Sequence, residues 1–406
     1  MTDLLRLADE CESELSSVFA AIDKIAYENT RKVLSAFSEF GLSERHFNAT
    51  TGYGYNDDGR DIADKIFAYV LGCEDGFVRH NIISGTHAIA ISLFGLLKHG
   101  DTLLAVSGKP YDTLLGVISG KGSLAENGIN YKEIDLIGGR DFDAEKIINE
   151  LRQDKTIKVV HIQRSRGYST RKTLTSSAIT SLYREIKRVS DAFVFVDNCY
   201  GEFTSTLEPE CDIMAGSLIK NPGGGMAETG GYITGTKKAV AIVENRLSFP
   251  GVGREAGASL GQNKSILKGI FYSPHTVANA KKTSHFAALL FKKLGYEVDP
   301  DPFELREDIV QVINFRSESK LLSFCRGIQA GSPVDSRADP IPGYMPGYAD
   351  PIIMACGAFT QGSSIELSAD APLREPFCVY LQGGLTYESG KYGVLSAAQR
   401  VGENKN

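Results

Sequence analysis

The stretch Asp212-Ile-Met-Ala-Gly-Ser217-Leu-Ile-Lys220-Asn-Pro-Gly-Gly-Gly225 sets a single lysine among small residues and glycines. Upstream, Asp197 ends the apolar run Phe193-Val-Phe-Val196, which reads as a buried strand. A lone lysine is ordinarily a solvated surface charge, and most aspartates also face water. Together the two describe an amine and a buried carboxylate delivered near strand ends, where open α/β sheets bind ligands. An amine so placed can form a Schiff base with a carbonyl, and such a carboxylate can keep a ring nitrogen protonated.

A third element lies further upstream. Arg79-His-Asn-Ile82-Ile83 is a short apolar approach to Ser84-Gly85-Thr86-His87. A helical run follows, apolar at Ile89, Ile91, Leu93, Leu96 and Leu97, and Gly100 closes it. A small, Gly-containing turn that opens a helix offers free backbone N–H groups and the positive end of the helix dipole to a phosphate. Alone it would be an ordinary N-cap. With Lys220 and Asp197 it completes the requirements of a pyridoxal phosphate (PLP) site. Two other glycine-rich segments do not compete. Gly116-Val-Ile-Ser-Gly120-Lys121-Gly122 lacks the spacing and the Ser/Thr of a P-loop. Gly251-Val-Gly253-Arg-Glu-Ala-Gly257 is one residue too long for a dinucleotide fingerprint and follows no β-rich run.

Composition sets the outer bounds. At 406 residues the chain can bury a large core and divide into two or three domains. A net charge of −6, with no long basic cluster, argues against a nucleic-acid surface. No apolar run reaches transmembrane length and the N-terminus lacks a signal-peptide core, so no membrane association is expected. Seven cysteines without a C-x-x-C pair read as free thiols in a reducing cytoplasm. The histidines show no metal-ligand spacing, so no metal is expected; His80 and His87 read as packing residues beside the cradle.

Residues 3–40 carry one helical stripe through Leu4, Leu7, Cys11, Leu15, Val18, Phe19, Ile22, Ile25 and Ala26. A glycine- and aromatic-rich loop follows, Thr50-Thr-Gly-Tyr53-Gly-Tyr55-Asn-Asp-Asp-Gly-Arg60. From residue 61 to about 250, β-type runs at Thr102–Val106, Ile157–Ile162, Phe193–Val196 and Tyr232–Thr234 alternate with helices such as 175–190. This alternation predicts a mostly parallel sheet covered by helices on both faces. A long helix is expected over Pro274–Leu294, stopped by Gly295. Strands follow at Ile309–Phe315, Ile352–Ala355 and Phe377–Leu381, with a Pro- and Gly-rich loop at 331–351. The division expected is an N-terminal helical arm over 1–50, a large α/β domain over 51–272 and a small C-terminal α+β domain over 273–406.

Other candidate groups follow the predicted strands. Tyr111, in Ser107-Gly-Lys-Pro110-Tyr111, comes just after the Thr102–Val106 run and is placed to stack on a pyridine ring. Arg164 and Arg166, in Gln163-Arg-Ser-Arg-Gly-Tyr168, are candidates to face a carboxylate or the cofactor. Arg374, in Asp370-Ala-Pro-Leu-Arg374-Glu-Pro, is a candidate clamp for the carboxylate of an amino-acid substrate.

Five segments carry a family resemblance: Ser84-Gly-Thr, Lys109-Pro-Tyr111, Val196-Asp197-Asn-Cys-Tyr-Gly-Glu-Phe203, Gly216-Ser-Leu-Ile-Lys-Asn-Pro-Gly-Gly-Gly225 and Gln361-Gly-Ser-Ser-Ile-Glu-Leu-Ser368. Through them the chain resembles, from about residue 45 onward, the methionine gamma-lyase-related proteins, also called aluminium-resistance or cystathionine beta-lyase-like proteins. The resemblance implies an α/β fold of the fold-type I PLP-dependent transferase-like kind. Its large domain has a mostly parallel seven-stranded sheet flanked by helices, and a smaller C-terminal α+β domain follows. It implies a homotetramer, a dimer of dimers with shared sites.

Position by position, it makes Lys220 the Schiff-base lysine and proton shuttle, its amine lowered in pKa by the site. Asp197 becomes the partner of the pyridine nitrogen and Tyr111 the stacking ring. Ser84, Gly85, Thr86 and Ser217 become the phosphate holders, and Tyr53 or Tyr55 reaches a neighbour's phosphate. Arg374 becomes the carboxylate ligand, while Arg164 stays a candidate substrate ligand from its place after the strand. Three positions depart from the classical pattern: Ile219 precedes the lysine in place of Thr, the segment after the third strand reads Gln-Arg-Ser-Arg, and the Tyr-x-Arg clamp is absent. The implied activity is carbon–sulfur lysis of an L-amino acid by β- or γ-elimination. A γ-replacement synthase, a racemase or a non-catalytic PLP-fold protein shares the same residues.

Overall fold

The alternation of β-type runs and helical stripes folds as a two-sheet α/β structure. The computed structural model of the protein describes residues 2–345, 348 and 350–403. Pro346, Gly347 and Ala349, within the loop expected at 331–351, lie outside the described residues. The large sheet is built from β1 (Asp75–Arg79), β2 (Thr102–Ala105), β3 (Asn130–Glu133), β4 (Ile157–Gln163), β5 (Phe193–Asp197), β6 (Ile213–Ser217) and β7 (Gly231–Gly235). Its order is β1-β7-β6-β5-β4-β2-β3, and β7 alone runs antiparallel to its neighbours.

Alternation along the strands distributes side chains to two faces. Leu103, Val159, Phe195, Ile213 and Ile233 pack beneath α4 (Gly85–Leu96), α5 (Asp112–Ser119) and α8 (Lys237–Val243). Leu104, Val160, Val194 and Val196 pack on the other face against α6 (Ala144–Gln153) and α7 (Ser176–Lys187). On that second face Val78, Met214 and Tyr232 meet α3 (Asp58–Val70) and α9 (Asn263–Lys293). A sheet covered on both faces needs near-continuous apolar strands, which is what β4 and β5 supply.

The expected single N-terminal helix is two, α1 (Thr2–Glu14) and α2 (Ser16–Glu39), joined at Leu15. They do not share one core. Ala8, Cys11 and Leu15 pack with the small sheet, whereas Val33 and Ala36 pack with the large one. The long helix starts before the expected Pro274: α9 runs unbroken from Asn263, across residues 272 and 273. Proline removes a backbone donor from a helix interior. Around it the hydroxyls of Ser273 and Thr276 donate to the carbonyls of Gly269, Tyr272 and Ser273. Its first half (Ile266–Ala280) belongs to the large core and its second half (Phe286–Phe291) to the small one.

The small sheet is antiparallel, in the order β10 (Ile352–Ala355), β11 (Ser368–Pro372), β12 (Cys378–Gln382), β9 (Gln311–Asn314) and β8 (Glu297–Asp299). One face carries Ile313, Ile353, Ala355, Ala369, Ala371, Val379 and Leu381 into a core with α10 (Glu318–Ala330) and α11 (Tyr387–Glu403). The alternate residues Met354, Ser368, Asp370, Tyr380 and Gln382 therefore point the other way. That face turns toward the ends of β4, β5 and β6, and two cavities lie between.

Candidate active site

Asp197 is the last residue of β5, and Lys220 follows β6 after a short turn in which its N–H donates to the Ser217 carbonyl at 3.3 Å. The parallel pairing of β5 and β6 sets Asp197 opposite Ala215, so both ends open at one edge of the sheet. Lys220 Nζ stands 3.9 Å from the Tyr200 ring centroid. Tyr200 holds a left-handed backbone (φ 72), unfavourable for a bulky side chain and characteristic of functional turns.

Two neighbouring cavities, of about 280 Å³ and about 50 Å³, share Tyr111, Tyr168, Asp197, Cys199, Tyr200 and Lys220 in their walls. The larger also reaches Ser84, Gly85, Thr86 and Ser217. Gly85 and Thr86 are the first residues of α4, where backbone N–H groups have no intrahelical acceptor. Ser84 caps that helix by accepting from the His87 N–H at 3.1 Å. Ser217 is 1% exposed, and its hydroxyl has no partner within the protein. A Cβ on Gly85 would lie 2.9 Å from Cys199 Sγ, so only glycine lets the helix start approach this closely. Two free amides, an orphaned hydroxyl and a helix N-terminus fit the phosphate of PLP, and the Lys220–Asp197 pair fits its aldehyde and ring nitrogen.

Electrostatics tie the pair together. Burial pushes the Asp197 carboxyl above its ordinary range, with the Lys220 ammonium pulling the other way. Burial works to lower the Lys220 amine, but Cys199, Tyr200 and Asp197 outweigh it and hold the amine above its usual value. The expected lowered amine is therefore not a property of the protein's own side chains. Behind the turn, Glu202 is fully buried and accepts from the Tyr232 hydroxyl at 2.8 Å, and burial pushes its carboxyl up to about 8. Tyr111 is fixed by its N–H donating to Gln163 Oε1 at 2.7 Å, and its hydroxyl meets that of Tyr348.

The structure brings Lys220, Asp197, Tyr111, Ser84, Gly85, Thr86 and Ser217 to one cavity. It keeps five other candidates away, among them Arg166, which pairs with Asp299 at 2.5 Å. Arg164 is fully buried, paired with Glu208 at 2.8 Å and Glu307 at 2.9 Å, and its two Nη groups also donate to Asn198 and Ser176. Its charge is committed to the scaffold rather than to a ligand. Arg374 is solvent-facing, paired with Asp350 at 3.0 Å, and lines a separate groove. Tyr53 and Tyr55 are exposed and stacked on each other at 5.8 Å. Neither lines a cavity with Lys220.

Residues the sequence reading did not assign include Cys199 and Tyr200, which directly follow Asp197, and Asp370, which faces the cavity from β11. Period-2 alternation in Ser368-Ala-Asp370-Ala was the available signal for the last.

A mostly parallel seven-stranded sheet with a lysine, an acid and a phosphate-type cradle at its strand ends defines an α/β protein built like PLP-dependent enzymes. At only 14% identity, the pyridoxal-5'-phosphate-dependent protein YhfS of Escherichia coli has the same fold (TM-score 0.61), covering 93% of this chain and 97% of that one. The methionine gamma-lyase family model matches residues 4–402, and the chain belongs to that family.

It is 45% identical to the uncharacterized protein YnbB of Bacillus subtilis (strain 168), over 98% of this chain and 96% of that protein. It is also 45% identical to the crystal structure of a carbon-sulfur lyase involved in aluminum resistance from Clostridium novyi NT. That match has a TM-score of 0.95 over 99% of this chain and 96% of that one. A proposed cystathionine beta-lyase involved in aluminum resistance from Clostridium acetobutylicum gives 44% identity and a TM-score of 0.95, over 98% and 96%. Among the described residues no helix is long and apolar enough to cross a membrane.

Two outcomes follow from this geometry. Arg164→Ala strands two buried carboxylates, and unfolding by urea should show a loss of about 3–5 kcal/mol, the cost of breaking a buried pair. Glu202 keeps its proton in the folded protein up to about pH 8, whereas the ordinary value is 4.5. Between those values the unfolded state holds fewer protons, so this group's contribution to stability falls as pH rises. Glu202→Gln mimics the protonated carboxyl and should flatten that fall, read from urea midpoints at about pH 5 and about pH 8.

Proposed function

We propose that the protein is a PLP-dependent carbon–sulfur lyase of fold type I acting on an L-amino acid. The observation that carries this reading is Lys220 and the buried Asp197 facing one cavity with the N-terminus of α4 and the orphaned Ser217 hydroxyl. The names of the Clostridium relatives support the same chemistry. Lys220 is the amine that would anchor the cofactor, and Asp197 would hold its ring nitrogen protonated. Gly85, Thr86 and Ser217 would hold the phosphate, and Tyr111 would cover the ring. When bound, the cofactor supplies an electron sink for the pair released by breaking a Cα–H bond.

The chain's own residues do the rest. The Lys220 amine takes the α-proton on one side of the cavity, and the tyrosines exclude water around the departing sulfur. For a β-elimination, the net change consumes one water and releases a thiol, a 2-oxo acid and ammonia. Lys220→Ala should abolish both the visible absorption band of the loaded protein and all 2-oxo acid release from a panel of sulfur amino acids. A band that persists and can be reduced by borohydride onto another lysine would sink the assignment.

The proposal extends to assembly. Arg60 fixes the loop carrying Tyr53 and Tyr55 by donating to the carbonyls of Gly54 at 2.8 Å, Gly257 at 3.1 Å and Glu255 at 3.2 Å. Two stacked tyrosines displayed on a braced loop favour burial against a second copy, since aromatics of this kind are enriched at interfaces. We place them at the phosphate site of the neighbouring subunit in a tight dimer, with two dimers forming a homotetramer. All seven cysteines are unpaired, which suits the cytoplasm. Mixing Tyr55→Ala with Lys220→Ala subunits, each nearly inactive alone, should restore part of the activity. A mixed dimer assembles one site free of both lesions. No recovery in verified mixed oligomers counts against sharing.

A further inference from the structure

Asp370 is a charged wall group that the proposed reaction does not use. It lies on the cavity face of β11 and accepts from Gln382 Nε2 at 2.7 Å, and the Tyr168 phenol lines the same cavity. Both groups are neutral. Among the described residues, neither cavity is lined by a lysine, arginine or histidine apart from Lys220. Once the Lys220 amine and the Asp197 carboxylate are engaged by the cofactor, Asp370 has no cation opposite it. A half-buried carboxylate without a counter-charge is costly, so its presence marks the place of a cation.

A second feature points the same way. Ser368, two residues earlier on the same face of β11, is 3% exposed, lines the same cavity and leaves its hydroxyl without a partner. Around them stand Tyr111, Tyr168 and Tyr348, with ring centroids 5.4–5.9 Å apart. Phenol oxygens accept hydrogen bonds, and ring faces attract cations. A primary ammonium has three donors, and the wall offers a carboxylate, a free hydroxyl and phenols to receive them.

We infer that Asp370 and Ser368 form a receptor for a second ammonium group, so that the site selects amino acids whose side chain is itself cationic. A neutral thioether side chain leaves this wall unmatched. The inference rests on the PLP-lyase reading above and names the substrate class of that same site.

Two inert amino acids separate the alternatives, because L-ornithine carries an ammonium where L-norleucine carries a methyl group. Dissociation constants are read from the change each causes in the visible spectrum of the PLP-loaded full-length protein. Ornithine should bind at least about tenfold more tightly, the ratio one charge-assisted hydrogen bond supports. Asp370→Asn should bring the ratio to about one without weakening norleucine, and Asp370→Glu should keep part of it. Should Asp370→Asn fail to fold, Ser368→Ala carries the test, with an expected fall in the ratio of at least about threefold for the loss of one hydrogen bond from the ammonium to a hydroxyl.

Equal binding of the two ligands by the unmodified protein, or a ratio indifferent to these substitutions, overturns the receptor and leaves the PLP-lyase reading intact. A loaded protein whose spectrum responds to no amino acid overturns both.

Discussion

A half-buried ammonium just after β6 and a buried carboxylate at the end of β5, both facing one cavity, constrain much of this molecule. Removing either charge from water is expensive, and the pair is tolerable only where geometry and further polar contacts compensate. The compensation is local. Asp197 accepts from the Cys199 N–H at 3.2 Å, and Tyr200 adopts a strained backbone to bring its ring to within 3.9 Å of Lys220 Nζ. The glycines around the turn follow from the same crowding. A Cβ at Gly223 would lie 1.6 Å from the Leu218 carbonyl oxygen, and one at Gly224 would lie 2.4 Å from the Gly269 carbonyl oxygen on α9. The lysine is thus wedged between the large sheet and the helix that spans both cores.

That helix explains how a second wall is brought to the pair. Because α9 contributes to both apolar cores, the small sheet is held as part of one packed body with the large sheet. Antiparallel alternation then does the chemical sorting. One face of β11 and β12 is alanine, valine and leucine against α10 and α11, and the other is serine, aspartate, tyrosine and glutamine against the cavity. A one-residue slip in β11 would bury Asp370 in the core and turn Ala369 to the ligand, so register and site chemistry are the same constraint.

The central strands were legible because β4 and β5 are covered on both faces along most of their length and are rich in Val, Ile and Phe. The lysine, the acid and the cradle were legible because their residue types are rare in combination. Others were not, among them β1, β3, β6, β8, β11 and the start of α9. β6 (Ile213–Ser217) is made largely of small residues, which fit the crowded turn rather than a β-type run. β3 is a polar edge strand whose four residues are mostly exposed. The start of α9 was hidden by Pro274, which reads as a helix beginning, although neighbouring hydroxyls support the helix around it. Site residues drawn from β11 and from the loop at Tyr348 are remote in sequence from Lys220, and only the tertiary packing joins them.

The arginines show why charge alone misled. Arg164 and Arg166 follow β4, where a ligand-binding guanidinium would be sought, yet the structure spends their charge elsewhere. Arg164 pairs with Glu208 and Glu307, and Arg166 with Asp299 at 2.5 Å, while Arg171 donates to the Gln163 carbonyl at 2.6 Å. Glu307 and Asp299 belong to the segment that leads into the small sheet, so these contacts clamp that segment to the β4 end. With Arg164 and Arg166 committed to joining the two sheets, the cavity has Lys220 as its one basic wall group among the described residues, against Asp197 and Asp370. A scaffold that consumes its cations in this way leaves an acidic binding wall, and an acidic wall discriminates by the charge of what enters rather than by its size.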